Sequence, residues 1–183
     1  MPLSVSATKV FDYLFGRGVP FAVFPRKGAA TPLTTATAYG LEQDLVRTVA
    51  LEAAVGPALA VVPWKRELDL DLARTALRDT AAREASADEL ASRFAGYEPT
   101  AIPPLGLFFL MPMVVDPAVV RMRQVAFPGG MTSCLVCARR ARLFRGDVYL
   151  VAPLTKESLP DRLPRREGSV TGLAGKGSSG YPG

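Results

Sequence analysis

The sequence predicts one domain of the α+β or mixed α/β class. Segments with the apolar spacing of helices and segments typical of strands follow one another without strict alternation. The length of 183 residues favours one domain over two. With 49% hydrophobic and 21% charged residues, the chain can bury a core without disulfide bonds or a structural metal.

The first half of the chain contains signals for three helices, one strand and a hairpin. Apolar spacing indicates the first and third helices, threonines at the start and Gly40 at the end indicate the second, prolines bound the single strand, and Gly56-Pro57 separates the hairpin strands. In order, we predict a helix over 5–15 ended by Gly16 and Gly18, a strand over 19–24, a helix over 34–40 capped by Thr34 or Thr35, strands over 45–53 and 58–62, and a helix over 68–77.

The second half begins with a capping box and then becomes strand-rich. Ser86 followed by Glu89 predicts the start of a helix that runs to Ala95 and ends at Gly96. Gly129-Gly130 indicates a turn between two of the later strands. Short apolar runs predict strands over 107–110, 113–115, 125–127, 134–138 and 149–151.

The composition changes after Leu154. We expect the folded domain to span residues 1–154, and residues 155–183 to form a flexible, Gly/Ser-rich, weakly basic tail with little to bury. The stretch between Glu98 and Asp116 is too short for a bilayer and is broken by prolines, and residues 1–16 do not resemble an export signal. A cytoplasmic location with reduced thiols is therefore the expectation.

Several classes of chemistry are excluded or disfavoured. The chain has no histidine, which excludes mechanisms that need an imidazole. Cys134 and Cys137 have the spacing of zinc and redox motifs, but they have no partner ligands and lie in a strand-like run, so we interpret them as core residues. The net charge of +5 permits an anionic partner. A basic cluster could meet phosphates or simply be solvated, and it comprises Arg139, Arg140, Arg142 and Arg145.

The most unusual segment is the loop of residues 96–106, which has five glycines or prolines in eleven positions. Such a loop has few accessible conformations. It is either a rigid connector from a helix to a strand or a preorganised pocket wall, and the composition does not decide between the two. Its glycines and prolines are Gly96, Pro99, Pro103, Pro104 and Gly106.

This loop resembles the G-x-x-P-G-x-x-x-P-x-G signature of the YbaK/ProX family of aminoacyl-tRNA editing domains. Other features fall in the order of that family over roughly residues 5–152. They are a Thr/Ala-rich helix ending at Tyr39-Gly40, a strand carrying Arg47-Thr48 at the family's Lys-Thr pair, a hairpin with Ala60-Val61-Val62-Pro63, a helix after Leu68-Asp69-Leu70, Asp116 after an apolar strand, and the pair Gly129-Gly130.

The resemblance implies a fold and a site. The fold would be a mixed, partly closed β-sheet with packed helices. Arg47 would act in catalysis by holding the aminoacyl-adenosine end, and Gly130 would contribute a backbone N–H to the developing oxyanion. The substrate-binding residues would be Thr48, Gly96, Pro99, Thr100, Pro103, Pro104, Gly106 and Gly129. Neither a metal nor a cofactor is expected, because in the family a water and the ribose hydroxyl of the substrate do much of the chemistry.

Two positions depart from the family pattern. Arg47 replaces its lysine, and Thr100 replaces the glycine after the first proline of the loop. The favoured hypothesis is a deacylase that hydrolyses the ester of a mischarged tRNA in trans. The departures favour the alternative of a catalytically silent module that keeps the pocket, and an unrelated binding domain is the third hypothesis. The expected partner is the acceptor end of tRNA, with at most weak contact to a tRNA synthetase or translation factor, and neither DNA nor a membrane.

Overall fold

The computed structural model describes residues 4–26, 28 and 30–158. Seven α-helices, eight strands and one 3-10 helix are assigned within these residues. The helices are α1 (Val5–Gly16), α2 (Pro32–Ala38), α3 (Leu70–Leu77), α4 (Ala87–Arg93), α5 (Gly106–Phe109), α6 (Pro117–Val120) and α7 (Arg140–Leu143), and the 3-10 helix is Lys156–Ser158. The strands are β1 (Phe21–Pro25), β2 (Val46–Ala53), β3 (Gly56–Pro63), β4 (Arg83–Glu84), β5 (Met113–Val115), β6 (Gln124–Pro128), β7 (Cys134–Arg139) and β8 (Tyr149–Val151).

Side chains cap the N-termini of five helices, α1, α2, α3, α4 and α6. The predicted capping box of α4 is confirmed, since Ser86 accepts from the Glu89 N–H and the Glu89 carboxylate accepts from the Ser86 N–H. The predicted cap of α2 is wrong. Thr31 caps this helix and forms a capping box with Thr34, because Pro32 suits the first helical position, where no N–H is needed.

The strands form two sheets, which confirms the α+β class. One sheet has the order β4-β2-β3-β5-β8 and the other the order β1-β7-β6. Neither sheet closes on itself, and an isolated bridge between Leu45 and Ala126 joins them. In the β2–β3 hairpin Ala53 pairs with Gly56, so the turn lies at residues 54–55 and Gly56-Pro57 begins β3 instead of forming the turn.

Residues 107–110, predicted as a strand, belong instead to α5 and its C-cap. Leu110 ends this helix in a left-handed conformation with φ of 56°. The helical turn places Phe108 and Phe109 against each other and against Tyr97, in edge-to-face contacts that a strand without a neighbouring strand would not provide. The first residue of the helix, Gly106, has to be glycine, because a Cβ there would lie 2.6 Å from the Met111 carbonyl oxygen.

The described structure continues past the predicted boundary at Leu154 and is held there by Asp116. This carboxylate is fully buried and accepts hydrogen bonds from the Leu154 N–H (3.0 Å), the Thr155 hydroxyl (3.4 Å) and the Ser158 hydroxyl (2.5 Å). Thr155 is itself fully buried. Residues 155–158 are therefore packed on the body, and the rest of the predicted tail, from residue 159, lies outside the described residues.

We expect the segments before and after Ser158 to differ in their effect on stability. Deleting residues 161–183 should shift Tm by less than about 5 °C, because their composition offers little apolar surface to bury. Deleting residues 155–183 should cost about 1.5–3 kcal/mol, because Asp116 loses two of its hydrogen-bond donors. Thermal melts of both truncations test this. A large loss of stability in the shorter deletion would show that the tail docks on the body.

The two cysteines lie in β7, and both are buried and free, which confirms their interpretation as core residues. Burial raises the pKa of both thiols, and with the negative charge of Asp44 it raises that of Cys137 to about 11. The unfolded Cys137 thiol has the lower pKa and ionises first. Its contribution to stability is therefore constant below pH 9 and declines as the pH rises from 9 towards 11.

Changing both cysteines to alanine should lower stability by about 1–2 kcal/mol and leave activity intact, because their role is packing. Alkylation by iodoacetamide at about pH 7.5 should be slow in the native protein and fast in urea. Loss of activity without loss of stability would instead indicate thiol chemistry.

Candidate functional site

The candidate site lies at an open edge of β2. β4 covers only one end of that edge, where it pairs with Leu51 and Glu52. Near the other end, the bridge from Ala126 reaches Leu45. No strand among the described residues pairs with residues 47–50 on this side. The two sheets therefore leave a gap of a few residues between them.

The hydrogen bonds that flank this gap show which backbone groups face it. The Ala85 N–H donates to the Ala50 carbonyl (2.9 Å), and the Ala126 N–H donates to the Asp44 carbonyl (2.8 Å). Backbone groups of alternate residues in an antiparallel strand point to the same edge. The N–H and C=O of Thr48, between Asp44 and Ala50, therefore face the gap, and the hydrogen bonds of the described residues give them no partner.

A cavity of about 280 Å³ occupies this edge. Successive strand residues point to opposite faces, so Arg47 and Thr48 both line it because it lies beside the strand and not on one face of the sheet. Its walls are mostly apolar, with Glu84 as the one carboxylate. The lining residues are Arg47, Thr48, Val49, Ala50, Trp64, Glu84, Ala85, Leu90, Pro99, Thr100 and Ile102.

Two buried polar atoms in this lining have no hydrogen-bond partner among the described residues. They are Nε of Arg47 and Oγ1 of Thr48, whose residue is only 7% exposed. Buried polar groups are nearly always paired, because an unpaired one costs about 1–3 kcal/mol. Two such atoms on adjacent residues beside an unpaired strand edge therefore indicate a place for a polar ligand.

The end of the Arg47 side chain is fixed by a hydrogen bond to the Arg66 backbone. Its Nη2 donates to the Arg66 carbonyl oxygen at 2.9 Å. The Arg66 guanidinium in turn donates to Ser158 Oγ at 2.7 Å, and Ser158 donates to the buried Asp116. The C-terminal segment thereby fixes the backbone to which Arg47 is bound.

Gly130 holds the loop of residues 96–106 in place, since its carbonyl also accepts from the Glu98 N–H (3.1 Å), and Gly129 is bonded within the β6–β7 turn. The Gly130 N–H donates to the Ala101 carbonyl (3.1 Å), and the Gly129 N–H donates to the Cys134 carbonyl (3.2 Å). Gly130 has φ of +91°, and a Cβ there would lie 3.0 Å from the Tyr97 ring. Because both N–H groups are engaged inside the protein, neither glycine can donate to an oxyanion in this conformation. The predicted oxyanion role of Gly130, and the predicted contact of Gly129 with substrate, have no support in this geometry.

The comparison with known families agrees with the pattern of the loop and of β2. A family model described as the aminoacyl-tRNA editing domain matches residues 27–145, more than half of the 183-residue chain. The chain belongs to this family. No curated protein matches it.

Solved structures with the same fold include a trans-editing enzyme. A candidate trans-editing enzyme for prolyl-tRNA synthetase is 25% identical, with a TM-score of 0.73 over 85% of this chain and 99% of that one. A scaffold protein used in epitope backbone grafting by computational design is 26% identical, with a TM-score of 0.71 over 84% of this chain and 99% of that one. A hypothetical protein at 22% identity shares the fold, with a TM-score of 0.67 over 79% of this chain and 98% of that one. The editing-domain family supports a role in tRNA editing and an interaction with tRNA.

The editing-domain fold brings some of the predicted site residues together and separates others. Arg47, Thr48, Pro99 and Thr100 line one cavity. Gly96 lines a neighbouring hollow that shares Pro99. Pro103, Pro104 and Gly106 are buried and are absent from the lining of the cavity.

Sequence reasoning missed several residues of this cavity. Trp64 and Glu84 add an aromatic ring and a carboxylate to it, and Leu90 and Ile102 add apolar walls. Ile102 lies in the loop of residues 96–106, at a position where the motif specifies no residue, and the other three lie in no recognisable motif. Only the capping box at Ser86 could have placed Leu90, by predicting the helix that carries it.

Within the described residues, no helix is long and apolar enough to cross a membrane.

Proposed function

We propose that this editing-domain protein hydrolyses the ester of a mischarged tRNA in trans, with the aminoacyl group held in the cavity beside β2. The observation that carries the proposal is the pair of unpartnered buried atoms, Arg47 Nε and Thr48 Oγ1, beside the unpaired edge of the strand. The acceptor end of the tRNA is the partner, and a cytoplasmic location is part of the proposal. Contact with a synthetase or translation factor is not needed for the chemistry.

The size and lining of the cavity favour a small aliphatic amino acid. Its volume of about 280 Å³ lies just below the range of ~300–1,000 Å³ for small-molecule sites. Val49, Ala50, Leu90 and Ile102 offer only apolar surface to a side chain. The carboxylate of Glu84, at the exposed rim, is suited to the α-ammonium group of the aminoacyl ester.

The chemistry follows from the groups that are present. Water adds to the ester carbonyl carbon, the bond to the ribose oxygen breaks, and that oxygen leaves with a proton. The cavity lining has no serine, cysteine or histidine, so a covalent intermediate on such a residue is not proposed. Arg47 Nε–H or the Thr48 hydroxyl would donate to the developing oxyanion, which is the role that the resemblance implied for Gly130. The ribose hydroxyl of the substrate positions the water.

The experiment is release of amino acid from purified mischarged tRNAs, with alanyl-, seryl- and cysteinyl-tRNA included in the panel. Faster deacylation than in buffer supports the proposal, and we expect the highest rate with the alanyl ester because the walls of the cavity are apolar. Binding without turnover would support the catalytically silent module. One observation favours that alternative, since Arg47 Nη2 is already bound to the Arg66 carbonyl. The absence of both binding and turnover would leave neither hypothesis standing.

A further inference from the structure

A second cavity adjoins the proposed aminoacyl site and shares Trp64 with it. Its volume is about 460 Å³. Leu45, Pro63 and Met122 contribute apolar surface, and the tryptophan is half-buried between the two cavities. The first cavity is too small for an aminoacyl group together with several nucleotides, so a bound tRNA end must extend into neighbouring space.

The rim of this second cavity is basic. Lys65 and Arg121 are exposed there, and neither is paired with a carboxylate in the described part of the chain. Arg66 also lines the cavity, but its guanidinium is engaged by Ser158. The one carboxylate is that of Glu42, and its Oε2 has no hydrogen-bond partner among the described residues. That oxygen is an unmet acceptor suited to a ribose hydroxyl or to the amino group of a base.

We propose that this second cavity binds the penultimate nucleotide of the single-stranded 3′ end of tRNA. The base stacks on the Trp64 indole, and Lys65 and Arg121 contact the adjoining phosphates. An aromatic platform flanked by unpaired cations is the usual arrangement for single-stranded nucleic acid. The proposal rests on the proposed function, because it takes the neighbouring cavity to be the aminoacyl site.

The test measures binding of an uncharged RNA stem-loop that ends in the single-stranded nucleotides CCA, by fluorescence anisotropy at several salt concentrations. The double variant Lys65→Ala/Arg121→Ala is compared with Lys9→Ala/Arg78→Ala. The control removes the same charge from two exposed residues that line neither cavity. In the first variant we expect the slope of log Kd against log salt to fall by about 0.7 for each phosphate that is no longer neutralised, and in the control we expect no change. Trp64→Leu should weaken binding by roughly fivefold or more, with partial recovery in Trp64→Phe.

Two comparisons separate this proposal from the proposed function. Removing the CCA nucleotides from the RNA should abolish the difference between the double variant and its control. If the protein deacylates, the double variant should have a lower kcat/KM on mischarged tRNA but not on aminoacyl-adenosine, which lacks the phosphates. Equal salt slopes for the double variant and its control would overturn the nucleotide site. Normal RNA binding without turnover would overturn only the proposed enzyme activity.

Discussion

Replacing Arg47 with alanine is expected to lower kcat/KM for deacylation about ten- to a hundredfold. The loss corresponds to one charge-assisted hydrogen bond to the substrate, worth ~1.5–3 kcal/mol. Folding should be little affected, because the side chain makes a single hydrogen bond, to the Arg66 carbonyl, and is only half-buried. Single-turnover deacylation of the best substrate measures the effect. Arg78→Ala is the matched control, since Arg78 is exposed and lies outside the cavity.

The conservative variant Arg47→Lys separates the enzyme from the silent module. A lysine restores the residue typical of the family and has no guanidinium to bridge the cavity and the Arg66 carbonyl. In an active protein we expect it to do less harm than alanine. Turnover gained by this variant in an inactive wild type would show that the chemistry was lost at this position. An alanine variant as active as the wild type would show that Arg47 is not part of the site.

Replacing Asp116 with alanine is expected to destabilise the protein by about 3 kcal/mol or more. The change leaves the backbone N–H groups of Ala118 and Leu154 and the Ser158 hydroxyl without their acceptor, and the Thr155 hydroxyl keeps only Ser158 as an acceptor. Hydrogen bonds to charged groups are worth ~1.5–3 kcal/mol, and buried donors without partners add a further cost. For a domain of this size the loss corresponds to a fall in Tm of about 6–12 °C.

Urea denaturation of Asp116→Ala and Asp116→Asn tests this expectation. Asparagine keeps one acceptor oxygen, so it should recover part of the lost stability. Asp12→Ala is the control, because Asp12 is exposed on α1 and its removal should change stability by less than about 0.5 kcal/mol. An alanine variant as stable as the control would mean that the 155–158 segment does not depend on Asp116.

Local signals predicted the elements whose causes are local. The start of α4 depends on Ser86 and Glu89, which are three residues apart and satisfy each other's backbone groups. The β2–β3 hairpin follows from two strand-like runs that are close in the chain. The prediction of a strand over 107–110 is wrong because the apolar composition of this run suits either element, and contacts with Tyr97, which is distant in the chain, favour the helix.

The sequence by itself determined the fold class, the order of most elements and, through the resemblance, the family, and it predicted Arg47, Thr48, Pro99 and Thr100 as site residues. Only the tertiary structure decided what surrounds them. The gap beside Thr48 exists because β4 and the Ala126 bridge both stop short of it. The glycine N–H groups are engaged because Ala101 and Cys134 accept from them. Whether a backbone group has a hydrogen-bond partner depends on segments that are distant in the chain. No local pattern of residues encodes that pairing.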